Sequence, residues 1–254
     1  MKTMRMNFTK KNQKTKKTEN VGYIEVKDSA QNNVVEMYIY GDIVSSGWDK
    51  WSEEDRCPQD IADFMAQIPS EAEMTIYFNS GGGDVFAGIG ICNILKRHIG
   101  HKKGIVDGIA ASIASVILMA CDEIVVASGA QIMIHKPLTI GWGNADDFAK
   151  LIGQLDKCQE SITDIYMEKA KEGISREMIT EKINRESWMS GEDAAEIFDI
   201  TVEKKPAIAA CIGYMIDMYK NTPKDIYTKT VEETAEQERA EEEAMIQKLN
   251  LYGI

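Results

Sequence analysis

The stretch Met74–Leu95, MTIYFNSGGGDVFAGIGICNIL, decides the fold. Its opening, Met74 to Asn79, is a strand-forming run of branched and aromatic residues. Three glycines follow, Gly81 to Gly83, and the pattern then changes. Val85, Ile89, Cys92, Leu95 and Ile99 fall at helical spacing. A strand that passes through a small-residue turn straight into an apolar helix is half of a crossover connection, and the alternation recurs along the chain. Val34–Ile43 reads as a strand. Gly104–Asp107 is a short one that runs into Gly108–Ser115 and an apolar helix ending at Cys121. Glu123–Ala127 and Gln131–Ile134 are two more strands. Asn144–Lys171 is a long amphipathic helix with Phe148, Leu151, Ile152, Leu155, Ile162, Ile165 and Tyr166 on one stripe. Repeated strand–helix units predict an α/β fold with crossover connections.

Around this body the composition shifts. Met1–Asn20 is rich in lysine with little to bury, so residues 1–20 are expected to form a basic flexible arm. The folded domain is expected over 21–205. Residues 206–254, with Glu232, Glu233, Glu236, Glu238 and Glu241–Glu243, read as an acidic, helical C-terminal extension. Over the whole chain 29 basic residues stand against 41 acidic, a net charge of −12, which argues against a nucleic-acid partner. Hydrophobic residues make up 44 %, enough for a sizeable core. The cysteines at 57, 92, 121, 158 and 211 contain no C-x-x-C pair and imply reduced thiols in a cytoplasmic protein. No signal peptide is visible at the start, and the apolar run Ile109–Cys121 is too short to span a bilayer. A soluble protein without membrane contact is the expectation.

Histidine is scarce, which narrows the search for a general base. His98 and His101 lie in KRHIGHKKG, a basic helix end where solvated side chains are expected. His-x-x-His there has no neighbouring thiol or carboxylate to complete a metal site. His135 ends the apolar strand QIMIH just before Lys136-Pro137, which puts it at a strand tip. In GIAASIAS, Gly108–Ser115, small residues permit a tight bend, so Ser112 would stand at a helix N-terminus. Unpaired backbone N–H groups there favour developing negative charge, as an acyl-transfer nucleophile requires. Read locally, Ser112 is more simply a capping serine, the commoner role, and His135 a structural histidine. Ser115 is expected to be a packed small residue. Asn79–Asp84, NSGGGD, lacks the lysine of a phosphate loop and suits an oxyanion-binding turn or a plain strand-to-helix turn.

Four motifs in order, IYFNSGGGDVFAG, GIAASIAS, IMIHKPL with GNADD and a long helix, and ESWMSGEDAAEIFDI, resemble the proteolytic subunit of the Clp protease. The resemblance runs from Val34 to Glu203 and is strongest to phage and prophage relatives known as head-maturation proteases. It implies a ClpP/crotonase-like fold that assembles into rings, with a long handle helix, Asn144–Lys171, that packs ring against ring. It also implies that Ser112 is the nucleophile, His135 the base and Glu186 the third member of a triad. Glu186 stands where the family usually has aspartate, with Asp193 and Asp199 as rivals. The oxyanion donors would be the backbone N–H groups of Gly83 and Ile113. Gly81 replaces the proline usual in that loop.

The function so implied is a serine endopeptidase with no cofactor or metal, acting on polypeptide substrates as a homo-oligomer. The Lys-rich start differs from the apolar entrance loop of the housekeeping subunit. A Clp ATPase partner is therefore doubtful, and ATP-independent processing of phage scaffold or capsid precursors, in host cytoplasm or prohead, is the better expectation. Two rivals use the same fold: a crotonase-type acyl-CoA enzyme, and a catalytically silent assembly protein.

Overall fold

The computed structural model describes residues 2–11, 18–28, 34–52, 54–206, 216 and 218–223. Two strands lead, β1 (Lys2–Lys11) and β2 (Thr18–Asp28), paired antiparallel as a separate two-stranded sheet. The expected arm of residues 1–20 thus contains β1 and the start of β2. Met4, Met6 and Phe8 alternate with polar residues there, a period-2 signal masked by the surrounding lysines. The acidic stretch 232–243 lies outside the described residues.

The main sheet comprises β3 (Val34–Ile43), β4 (Glu73–Gly83), β5 (Lys102–Ala111), β6 (Glu123–Ser128), β7 (Gln131–Ile134), β8 (Ser187–Ser190) and β9 (Thr201–Pro206). Its order is β3-β4-β5-β6-β9, all neighbours parallel, with β7 joining β5 in parallel and β8 antiparallel on β7. The helices are α1 (Pro58–Met65), α2 (Val85–Lys96), α3 (Ile113–Leu118), α4 (Ala145–Met167), α5 (Arg176–Asn184) and α6 (Gly191–Ala195). Parallel neighbours need crossovers, and α2 and α3 supply them between β4, β5 and β6.

Sequence and burial agree along β4. Met74, Ile76 and Phe78 are buried while Thr75 and Tyr77 are half-buried, and from Phe78 to Gly82 every residue is buried. The strand is thus enclosed on both sides at its C-terminal end. Ile91 and Leu95 of α2 and Val116 and Ile117 of α3 meet this face in one core with Met37, Ile39, Ile76 and Phe78. Side chains of this size each contribute about 1.5–3 kcal/mol when fully buried.

The long helix divides in two. Asn144 caps it by accepting from the Asp147 amide, and Asp147 returns the bond to the Asn144 amide. Ile162, Ile165 and Tyr166 enter the core, whereas Phe148 and Ile152, one half earlier on the same stripe, are 45 % and 60 % exposed. His98 differs from its expected solvated state. It is buried, and its Nε2 donates to the Ala72 carbonyl at 2.7 Å, so this histidine ties the end of α2 to the turn before β4. His101 is exposed, 3.7 Å from Glu123.

Candidate active site

The register of three parallel strands gathers the candidate residues. Ala111 of β5 pairs with Met133 of β7, and Ser80 of β4 pairs with Ala110 of β5. The glycine turn, Ser112 and His135 therefore all emerge at the C-terminal edge of one parallel array. In open α/β sheets that edge is where ligands bind.

Ser112 is held tightly by its backbone. Its amide donates to the Met133 carbonyl at 2.9 Å, and its φ of 53° lies in the left-handed region that a non-glycine residue rarely adopts. This turn lets β5 pass directly into α3. Ser112 Oγ lies 2.7 Å from His135 Nε2. Ser115 supports the turn from below. Its hydroxyl has one hydrogen, donated to the Ser112 carbonyl at 2.5 Å with the Met133 carbonyl at 3.1 Å, so the buried Tyr166 hydroxyl 2.7 Å away must donate to it. Ser115 is fully buried, as expected, but it is also the brace of the strained turn.

Two glycines are needed at close approaches. A Cβ on Gly82 would lie 2.7 Å from Ser112 Cβ and 2.8 Å from the Ala111 oxygen, at a φ of 102°. A Cβ on Gly83 would lie 2.0 Å from the Ile43 oxygen of β3. The glycine run thus answers to the serine on one side and a neighbouring strand on the other. Gly82 donates its amide to Ser80 Oγ at 3.2 Å. Gly83 borders a cavity of about 530 Å3 whose apolar wall includes Val85, Phe86, Pro137, Leu138 and Leu155.

The antiparallel β7–β8 pairing places Glu186. Ile134 faces Ser187 in the last rung, so His135 and Glu186 each stand one residue beyond the end of the pairing. The carboxylate acts on the imidazole electrostatically, although no hydrogen bond joins the two. Burial pushes His135 down to about 4, and the negative charge of Glu186 opposes that shift. Near neutral pH the imidazole is uncharged, which leaves Nε2 able to accept the Ser112 proton. Glu186 itself has a φ of 51°, and its Oε1 accepts from the Asn221 amide at 2.5 Å. Of the rivals, Asp193 caps α6, accepting from the Ser190 amide and hydroxyl at 3.1 and 2.8 Å. Asp199 is exposed, and neither rival acts on His135.

Sequence reasoning did not single out Tyr219. Its ring stands edge-on to His135 at 4.8 Å between centroids, and its hydroxyl donates to the Gly81 carbonyl at 2.6 Å. The signal available was the apolar run Ile212–Tyr219, IGYMIDMY, inside a stretch otherwise read for its acidity.

A serine in contact with a neutral imidazole, beside a glycine turn at the edge of a parallel sheet, defines a protein of the ClpP/crotonase-like fold suited to acyl-transfer chemistry. The Clp protease family model matches residues 58–198, more than half of the chain, and the chain belongs to that family. Similar proteins include an ATP-dependent Clp protease proteolytic subunit of Bacteroides fragilis, 28 % identical over 140 residues, 52 % of this chain and 64 % of that protein. The subunit of the same name from Nephroselmis olivacea is 30 % identical, covering 57 % of this chain and 69 % of that one. ATP-dependent Clp protease proteolytic subunit 1 of Chlamydia muridarum is 35 % identical over 122 residues, 46 % of this chain and 62 % of that one. The chain thus spans a little under two thirds of the length of the Bacteroides relative.

Proposed function

We propose that this chain is a serine endopeptidase in which Ser112 is the nucleophile, His135 the general base and Glu186 the orienting carboxylate. The 2.7 Å contact between Ser112 Oγ and His135 Nε2 carries the reading. His135 takes the hydroxyl proton as Ser112 Oγ attacks a peptide carbonyl carbon. The tetrahedral oxyanion is stabilised by the amides of Gly83 and of Ile113, the first residue of α3, whose N–H precedes the helical hydrogen bonds. Protonated His135 returns the proton to the leaving amine, and water hydrolyses the acyl-enzyme by the same route in reverse. None of these steps calls on a metal or organic cofactor. The apolar cavity beside Gly83 would receive the substrate side chain next to the scissile bond.

The exposed Phe148 and Ile152 of α4 support a homo-oligomer in which this helix meets another subunit. The motif resemblance to head-maturation proteases and the Lys-rich start favour ATP-independent cleavage of phage scaffold or capsid precursors. Labelling with a fluorophosphonate tests the core of the reading. An adduct on Ser112, absent in Ser112→Ala and strongly reduced in His135→Ala, supports it. Labelling elsewhere, or rapid labelling of Ser112 without His135, refutes it. Hydrolysis of a fluorogenic peptide without ATP or an ATPase tests the ATP-independent part.

A further inference from the structure

We propose that Tyr219, downstream of the family-matched span, is a positioning residue that fixes the base and the glycine turn relative to each other. The inference rests on the serine-hydrolase reading of the same site.

Three contacts converge on this one side chain. The ring stands edge-on to His135 at 4.8 Å between centroids, and Trp188 in turn stands edge-on to Tyr219 at 6.1 Å. The hydroxyl donates to the Gly81 carbonyl at 2.6 Å. The same oxygen lies 3.2 Å from where a Cβ of Gly82 would be, so it sits against the turn that touches Ser112. Tyr219 is 6 % exposed and packs with Ile109, Ala111, Met133 and Ile216, residues of β5 and β7 together with its own segment. It is therefore anchored in the strands that carry Ser112 and His135.

Such a side chain has two separable effects. Its ring excludes water from the imidazole and helps keep His135 uncharged. Its hydroxyl holds the Gly81 carbonyl, and with it the orientation of the peptide groups that follow toward Gly83. Two residues on, the Asn221 amide binds the Glu186 carboxylate, and its side-chain nitrogen donates to the Arg185 carbonyl at 3.0 Å. The segment thus touches the base, the glycine turn and the acid. Among the described residues, the groups shown facing His135 are the Ser112 hydroxyl, the Glu186 carboxylate and the Tyr219 ring.

Tyr219→Phe and Tyr219→Ala separate the two effects in the full-length protein. Histidine labelled with 13C at the ring reports protonation of His135 by NMR, assigned by comparison with His135→Ala, and does not require activity. Wild type and Tyr219→Phe are expected to titrate at the same midpoint, and Tyr219→Ala at least one pH unit higher. Fluorophosphonate labelling of Ser112 is expected to slow about three- to tenfold in Tyr219→Phe, with the pH dependence unchanged, because only the hold on Gly81 is lost. An unshifted midpoint in Tyr219→Ala together with wild-type labelling in Tyr219→Phe overturns the proposal. A shifted midpoint in a protein whose Ser112 never labels leaves the ring contact standing and removes the hydrolase reading instead.

Discussion

Glu186 and His135 each lie one residue beyond the last β7–β8 pair, yet the Glu186 carboxylate accepts from the Asn221 amide and not from the imidazole. The carboxylate therefore acts on the imidazole through its field. Its left-handed backbone, φ 51°, turns the residue away from the extended path that would continue the strand.

Replacing Glu186 by glutamine removes the field and keeps the size. The hydrolysis rate should fall about ten- to a hundredfold, less than the roughly ten-thousandfold loss known where a carboxylate is bonded directly to the histidine. Steady-state kinetics of Glu186→Gln against a fluorogenic peptide measure this. A drop as large as that of His135→Ala would mean that the carboxylate swings onto the imidazole during turnover.

The position of His135 on the pH scale sets an acid limit for activity. Catalysis needs the neutral ring, so kcat/KM should rise with pH through a midpoint near 4 and then hold level, instead of rising near 6.5. The same shift is linked to stability. The unfolded chain binds the proton at about 6.5 and the folded one at about 4, so the contribution is complete above 6.5 and is lost as pH falls from 6.5 to 4. Its size is of order 3 kcal/mol, and urea unfolding of wild type and His135→Ala across that interval should reveal it.

Gly82→Ala should abolish labelling of Ser112. The new methyl would lie 2.7 Å from Ser112 Cβ and 2.8 Å from the Ala111 oxygen, and the φ of 102° is strained for alanine. Thermal unfolding of the variant should show a lower Tm as well, since both the turn and the serine must shift.

Ser115→Ala leaves the reacting groups in place but removes the brace beneath them. The buried Tyr166 hydroxyl loses its acceptor and the Ser112 carbonyl loses a donor. A cost of about 1–3 kcal/mol is expected in chemical denaturation, with slower labelling of Ser112 because its strained φ is less firmly held.

Paired charges on the outer half of α4 should disrupt assembly without unfolding the core. Phe148→Glu with Ile152→Glu alters side chains that are exposed in the single chain. Sedimentation velocity should show the variant smaller than wild type at the same concentration, with unchanged far-ultraviolet circular dichroism.

Much of this architecture was legible before any coordinates. Val34–Ile43 and Gln131–Ile134 coincide with β3 and β7 residue for residue, because β3 alternates buried with half-buried residues at period two and β7 is a short run of apolar residues. The start of α2 at Val85 and the Asn144 cap of α4 were likewise marked by local chemistry, an aspartate and an asparagine whose side chains meet the first free amides. The β1–β2 hairpin was not, since its charge obscured its alternation. Nor was the burial of His98, whose position in a basic turn says nothing about the carbonyl that Ala72 supplies from another segment.

The chain by itself determined the strand–helix order, the small residues around Ser112 and the strand-end place of His135, because these depend on neighbours within a few residues. Tertiary structure alone decided that Ser112 and His135 touch, that Glu186 reaches His135 by charge and not by a hydrogen bond, and that Tyr219 stands against the site. Those relations join residues between 23 and 138 positions apart. They are set by strand register and by the packing of a distant segment onto β5 and β7, which no local pattern encodes.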